Sequence, residues 1–358
     1  MKGAAGGCGD TGILATAPDN FKQPFQPRLA LAPPSPFGDN GHPFCPGNCF
    51  MWFKHLHLYR LHDAPTLDAA TLEEALAEHA ARPLGSQDPR RLGWTAPAGR
   101  AGTARLHELQ GQRLLSALRQ ERLLPAAVVR EETEERVAEV EAREGRKLRR
   151  QEKITLKEQV VEELLPRAFV RSQKIDLWWD TRRGMIGINA SSRTRAEEIL
   201  DLLRETLGSL KVTPLASQTL PMRAMTQWLV DPASRPADLV LGDQVELKAK
   251  GDDGVLRARQ VDLDSDEIQQ LLESGRQASK LALEIEGRLS FVLHDDLALK
   301  SLRFGDALID EANAADDGDD AVLRLETDFV LMADALGENI ERLIAWLGGE
   351  AGTATPDQ

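Results

Sequence analysis

Apolar and polar side chains alternate along Trp52-Phe-Lys-His-Leu-His-Leu-Tyr-Arg-Leu61, the pattern of a half-buried strand. His55 and His57 fall on one face of it with Phe53 and Tyr59, and no third ligand stands nearby, so these histidines are expected to face solvent. Thr66 or Asp68 then caps a helix through Ala80, with Leu72, Leu76 and His79 on one stripe. Turn formers crowd Gly85–Trp94, which reads as a loop, and 111–125 reads as an apolar hairpin ending at Pro125. The longest helical pattern runs from Val128 to Leu165 and stops at Pro166, because proline disfavours helix at the residue before it.

Beyond it, Lys174–Trp179 and Met185–Ala190 flank Asp180-Thr-Arg-Arg-Gly184 as a hairpin. Arg193–Leu207 is amphipathic, with Ile199, Leu202, Leu203 and Thr206 inward and Gly208 as its stop. Val212–Leu215 precedes a short helix at Met222–Leu229. A second strand-rich block follows: Val245–Lys250 with Val255–Val261, a helix from its cap Ser265 to Ser274, then Lys280–Glu286 with Leu289–His294. The chain closes with a helix over Asp320–Leu347, broken or bent near Gly337. Strand pairs and helices without a regular βαβ rhythm predict an α+β fold of mixed helices and antiparallel sheets. The expected organisation is an extension at 1–50, a region at 51–210 carrying the long basic helix, and a second α+β region at 211–358.

Composition separates the first fifty residues from the rest. They are proline-rich, hold all three cysteines (Cys8, Cys45, Cys49), and lack the basic start and apolar run of a secretory signal. Cys45 and Cys49 with His42 fall short of a four-ligand zinc pattern, so 1–50 is read as a disordered extension or a start placed too far upstream. No stretch approaches the roughly 18–20 apolar residues of a membrane span, so a soluble protein with no membrane partner is expected, and the absence of cysteine from Met51 onward fits a reducing cytoplasm. The net charge of −13 falls entirely on the remainder, since Lys2, Lys22 and Arg28 balance Asp10, Asp19 and Asp39. An acidic total does not forbid nucleic-acid binding, because phosphates respond to the local field.

Enzyme templates fit poorly. A P-loop is absent, and the glycines of Gly3–Gly9 precede any strand or helix. Asp316-Asp-Gly-Asp-Asp320 resembles a calcium loop, but with Gly318 at its sixth position Asn313 stands first and Arg324 last, where a bidentate glutamate is needed. Asp262, Asp264, Asp266 and Glu267 cluster as in a metal nuclease, yet acids at a helix start are also favoured by the helix dipole. No catalytic residue, metal or cofactor is expected.

The basic residues carry more. Arg143, Arg146, Lys147, Arg149, Arg150, Lys153 and Lys157 recur at steps of three and four, with only Glu144 and Glu152 among them. On one helix they make a cationic stripe suited to a phosphate backbone, or equally a solvated face. Arg167 and Arg171 flank Phe169 in an expected turn, where the ring is a stacking, interface or core residue. Arg257, Arg259, Arg276 and Lys280 follow in the second strand-rich block.

Met51-Trp-Phe-Lys54, Gly85-Ser-Gln-Asp88 with Gly93-Trp94, Leu164-Leu-Pro-Arg-Ala-Phe169, Lys280-Leu-Ala-Leu283 and Gly348-Gly-Glu350 resemble the RdgC, or recombination-associated, proteins. The resemblance runs from Met51 to about Glu350. It implies a nucleoid-associated, non-enzymatic protein that binds double-stranded DNA with little sequence preference, single-stranded DNA being a further candidate ligand, and restrains RecA-promoted recombination. It also implies horseshoe-like monomers closing into a ring-shaped homodimer around duplex DNA. Arg167 and Phe169 then fall near a ring contact or the DNA path, and the basic helix, Arg276 and Lys280 at cationic family positions. Gln260 departs from the family, standing where a lysine is expected. The alternative is a regulator that binds the recombinase itself, its DNA contact incidental.

Overall fold

The strand opened by the first alternating run lies near the middle of a large antiparallel sheet. In this computed structural model the described residues are 52–62, 67–249, 251, 254–314 and 320–352. Thr66, the extension with Cys8, Cys45, Cys49 and the Gly3–Gly9 run, and the body of the acidic 316–319 loop lie outside them.

In chain order the elements are β1 (His55–Leu61), α1 (Ala69–Glu78), β2 (Arg90–Thr95), β3 (Leu106–Leu109), β4 (Gln112–Leu123), α2 (Ala126–Glu144), α3 (Arg150–Leu164), β5 (Phe169–Asp180), β6 (Met185–Ile188), α4 (Arg193–Leu207) and β7 (Val212–Pro214). They continue with α5 (Pro221–Val230), β8 (Leu239–Lys248), β9 (Val255–Arg259), α6 (Asp266–Glu273), β10 (Gln277–Ile285), β11 (Leu289–His294), β12 (Leu299–Phe304), α7 (Asp306–Ala314) and α8 (Ala321–Trp346). The fold is α+β, with the main sheet path β2-β4-β5-β6-β1-β12-β11-β10-β8-β9. Strands from the first part of the chain meet those from the second where β1 pairs with β12, His55 opposite Lys300 and Leu56 opposite Leu299.

The period-two pattern sorts side chains into two cores. Leu56 and Leu58 of β1, Leu114 of β4 and Trp178 of β5 enter one core, together with α5, α6, α8 and the inward residues of β8, β10, β11 and β12. Tyr59, Leu61, Leu115, Ala117, Leu177 and Trp179 point the other way, onto Leu72 and Leu76 of α1 and Ile199, Leu202 and Leu203 of α4. Strand β1 is therefore buried on both faces. His57 is buried with it, contrary to the solvent-facing expectation, and His55 is half-buried.

Several helix limits follow from their caps. Asp68 accepts a hydrogen bond from the Thr71 N–H at 2.7 Å and starts α1. Ser192 caps α4, which ends at Gly208 with φ +72°. Helix α8 is unbroken through Gly337, whose missing side chain leaves room for Arg183. A β-carbon there would stand 2.7 Å from the guanidinium that donates to Asp180.

Three other expectations change. Residues 111–125 hold one long strand, and the hairpin turns earlier, at Gln110-Gly111, between β3 and β4. The Gly85–Trp94 segment becomes β2 from Arg90 on, paired with β4. The long helix is two helices. Gly145, at φ +66°, ends α2, and α3 begins only at Arg150. The three-and-four spacing of the charged residues runs on through 143–157, so spacing alone does not register the glycine's left-handed stop.

A candidate nucleic-acid interface

The α2–α3 hairpin is inserted between β4 and β5, and it divides the expected cationic stripe. Arg143 sits in the last turn of α2, Arg146, Lys147 and Arg149 in or beside the turn, and Arg150, Lys153 and Lys157 on α3. Several are already neutralised. Arg146 pairs with Glu144 and Glu152 at 2.8 and 2.7 Å, and Lys147 and Lys153 pair with Glu141 at 2.8 and 3.3 Å. These cations hold the Glu141 and Glu152 carboxyls down at about 2. Glu152 also accepts the Arg149 N–H at 2.7 Å and so fixes the start of α3. Arg143, Arg149, Arg150 and Lys157 make no ion pair among the described residues, so the stripe reduces to four unpaired cations. Arg150, Lys153 and Lys157 rim a groove of about 1340 Å³, mostly apolar, floored by Val129, Val137, Leu148, Ile154 and Val161.

At the root of the hairpin, Phe169 begins β5 opposite Leu123 and does not lie in a turn. Its ring is 85% exposed, which removes the core reading. Leu123 and Val170 are exposed beside it, and Arg167 and Arg171 are exposed on either side. The Arg122 guanidinium locks this root by donating to the carbonyls of Leu165, Pro166, Ala168 and Gly85.

The second-block cations gather elsewhere, on the face of β8–β12 turned away from the core. Register builds a row across the strands: Arg257 opposite Glu246, Glu246 opposite Lys280, and Lys280 opposite His294. On β12 Lys300 stands opposite Val292, the next same-face position from His294, and meets His55 on β1. Burial penalises the Glu246 charge, but hydrogen bonds from Lys280 and Arg257 (both 2.8 Å) and Ser279 (2.9 Å) outweigh it and hold the carboxyl at about 2. Arg259, on the same face opposite Gln244, makes no ion pair among the described residues. Arg276 is set apart, donating to the Gly254 carbonyl at 3.3 Å. Gln260 lies just past β9 at φ +56°.

Sequence reasoning missed Lys300 and His294. Lys300 Nζ donates to His57 Nε2 at 2.6 Å and to the carbonyls of Ala190 and Ser191 at 3.1 and 3.2 Å. Burial lowers its pKa to about 8, and burial with the Lys300 charge lowers His57 to about 4. The signal available was alternation: Lys280, Ala282 and Glu284 on β10, and Ser290, Val292 and His294 on β11, are the non-core phases of apolar runs.

The structure does not bring all the expected cations into one site. Strands β5 and β9 are seven steps apart in the sheet, about 34 Å at ~4.8 Å per step. A cation row crossing strands at that spacing follows a phosphate backbone more readily than it reads bases. The nuclease cluster does not assemble. Asp264 pairs with Arg235, Asp262 accepts the Asp264 N–H, and Asp266 and Glu267 occupy the first turn of α6. Among the described residues no group of three or more histidine, cysteine, aspartate or glutamate side chains is arranged to hold a metal ion. No described helix is long and apolar enough to cross a membrane.

These features define an α+β protein with a polar, cationic sheet face and an inserted, partly apolar helical hairpin. Residues 51–350 match the family model described as "Putative exonuclease, RdgC". The recombination-associated protein RdgC of Tolumonas auensis is 40% identical over 301 residues, 84% of this chain and 99% of the relative. Those of Yersinia pestis and Yersinia pseudotuberculosis are 41% identical over 302 residues, with the same coverage. The chain belongs to the RdgC family, which ties it to DNA recombination.

Proposed function

We propose that this protein is a non-enzymatic, sequence-independent DNA-binding protein that acts as a homodimer. In this reading two horseshoe-like protomers, each with regions 51–210 and 211–358, close into a ring around duplex DNA, in the cytoplasm and associated with the nucleoid. Occupied DNA is then denied to the RecA recombinase. The observation that carries the reading is the Arg257–Lys280–Lys300 row with Arg259. It is a sheet face whose fixed cations exceed its one buried carboxylate, on a chain that is otherwise strongly acidic. An acidic exterior repels nucleic acid elsewhere and concentrates binding on that face. The apolar groove of the α2–α3 hairpin and the exposed Phe169, Val170 and Leu123 supply surface for the second protomer.

The test is duplex binding across a salt series, using unrelated sequences, for the wild type and the Arg257→Glu/Arg259→Glu variant. The expected result is equal affinity for all sequences, a steep loss with salt, and at least tenfold weaker binding by the variant. Variant affinity equal to wild type would remove the row from the interface. The family description favours one other reading, a nuclease. Magnesium-dependent shortening of end-labelled DNA by the purified protein, lost with the same variant, would establish it.

A further inference from the structure

The cation row does not lie on a flat surface. Glu246, Arg257, Arg259, Lys280, His294 and Lys300 are among the residues that line a pocket of about 280 Å³. Donors are distributed within it in a definite way. Arg257 spends its Nε–H on Glu246, which anchors the guanidinium and leaves its two amino groups free. Lys280 spends one proton on the same carboxylate and keeps two. Arg259 keeps all of its donors. Lys300 spends its three on His57, Ala190 and Ser191, so it contributes charge but no hydrogen bond. The buried Glu246 thus orients two cations toward the opening, and Arg259 and Lys300 leave the pocket cationic on balance.

His294 completes the wall without a side-chain hydrogen bond to fix it. The groups facing it are Lys280 on β10, Lys300 on β12, Glu246 on β8, Arg257 and Arg259 on β9, His57 on β1, and Asp295 and Asp296 in its own turn. Lys248 draws Asp295 away in an ion pair at 3.0 Å. Burial, then Lys280 and Lys300, lowers the His294 pKa against the opposing pull of Asp296 and Asp295, so these surroundings favour the neutral ring. An anion placed among Arg257, Arg259 and Lys280 would reverse the local field and favour imidazolium.

We propose that this pocket seats a single phosphate group of the nucleic-acid backbone, with His294 taking up a proton as the phosphate arrives. The proposal rests on the DNA-binding reading for the source of the phosphate but not for the pocket itself. Binding and protonation are reciprocal, so whatever raises the His294 pKa is itself bound more tightly as pH falls. A rise of one unit corresponds to about tenfold in affinity across the titration.

The experiment follows the histidine ring signals of the full-length protein between pH 5 and 8, alone, with inorganic phosphate, and with a short duplex. Duplex affinity is measured over the same range for the wild type, His294→Gln and Arg259→Gln. Both probes are expected to raise the His294 midpoint by about one unit, and duplex affinity to gain about tenfold on acidification. That gain is lost in His294→Gln, and the midpoint response is lost in Arg259→Gln. An unmoved His294 midpoint in protein that does bind duplex would overturn the pocket and leave DNA binding standing. So would an undiminished response in Arg259→Gln. A response to inorganic phosphate in protein that fails to bind duplex would support the pocket and overturn its nucleic-acid source.

Discussion

At the scale of single residues, the pairing of Lys300 with His57 has a measurable cost. His57 Nε2 must stay unprotonated to accept the Lys300 proton, and burial beside that cation holds the ring's pKa near 4. In the unfolded chain the same ring titrates near 6.5. Between those values the unfolded state binds more protons, so stability drops as pH falls from 6.5 toward 4. His55 and His294, also lowered by burial, act in the same direction. His57→Gln keeps an acceptor for Lys300 and removes the titration. Wild-type protein is expected to lose on the order of 2 kcal/mol more than this variant across that window, read from thermal unfolding at a series of pH values. Parallel curves for the two proteins would show that His57 does not set the acid limit.

The element scale is where sequence and structure diverge most, and the causes are particular. Strands β1, β5, β6, β10 and β11 and helices α1, α4, α5 and α6 are legible because alternation, caps and turn glycines agree there. The other strand–strand joins are longer-range: β2 acquires its identity only by pairing with β4, and β12 by pairing with β1 and β11. The candidate site was half legible for the same reason. Arg257, Arg259 and Lys280 stand out as charges in the sequence, but only register sets Glu246 between two of them and brings Lys300 and His294 alongside. The helical hairpin shows the opposite failure, where one continuous pattern conceals a reversal at Gly145. Helix α2 buries Val129 and α3 buries Val160, so little tertiary packing supports either. Gly145→Ala, which places a β-carbon at φ +66°, is expected to destabilise the hairpin by about 1 kcal/mol. Faster amide exchange confined to α2 and α3 would register it as local opening. Uniformly faster exchange through the sheet would mean that the hairpin folds as one unit with the rest.

For the whole molecule, the question is how a chain of net charge −13 holds a polyanion. Bulk charge sets long-range repulsion, which salt screens within about 10 Å at 0.1 M, whereas contact is decided by cations placed at phosphate spacing. Most surface cations here are unavailable for that purpose. Arg90 and Arg119 share Glu198, Arg136 is held by Glu132 and Glu163, and Arg183 lies between Asp180 and Glu341. Arg259 on the row and Arg143, Arg149, Arg150 and Lys157 on the hairpin are among the described cations that make no ion pair. If each protomer neutralises about three phosphates, the log–log salt slope is about −2.7 per protomer and about −5 for a dimer on one duplex. Arg259→Gln then flattens the dimer slope by about 2, one phosphate for each protomer, whereas Arg146→Gln, whose charge is already spent on Glu144 and Glu152, leaves it unchanged. Equal slope changes in the two variants would mean that the internal ion pairs open on binding. The selection of contacts would then lie with the DNA and not with the pairing already built into the protein.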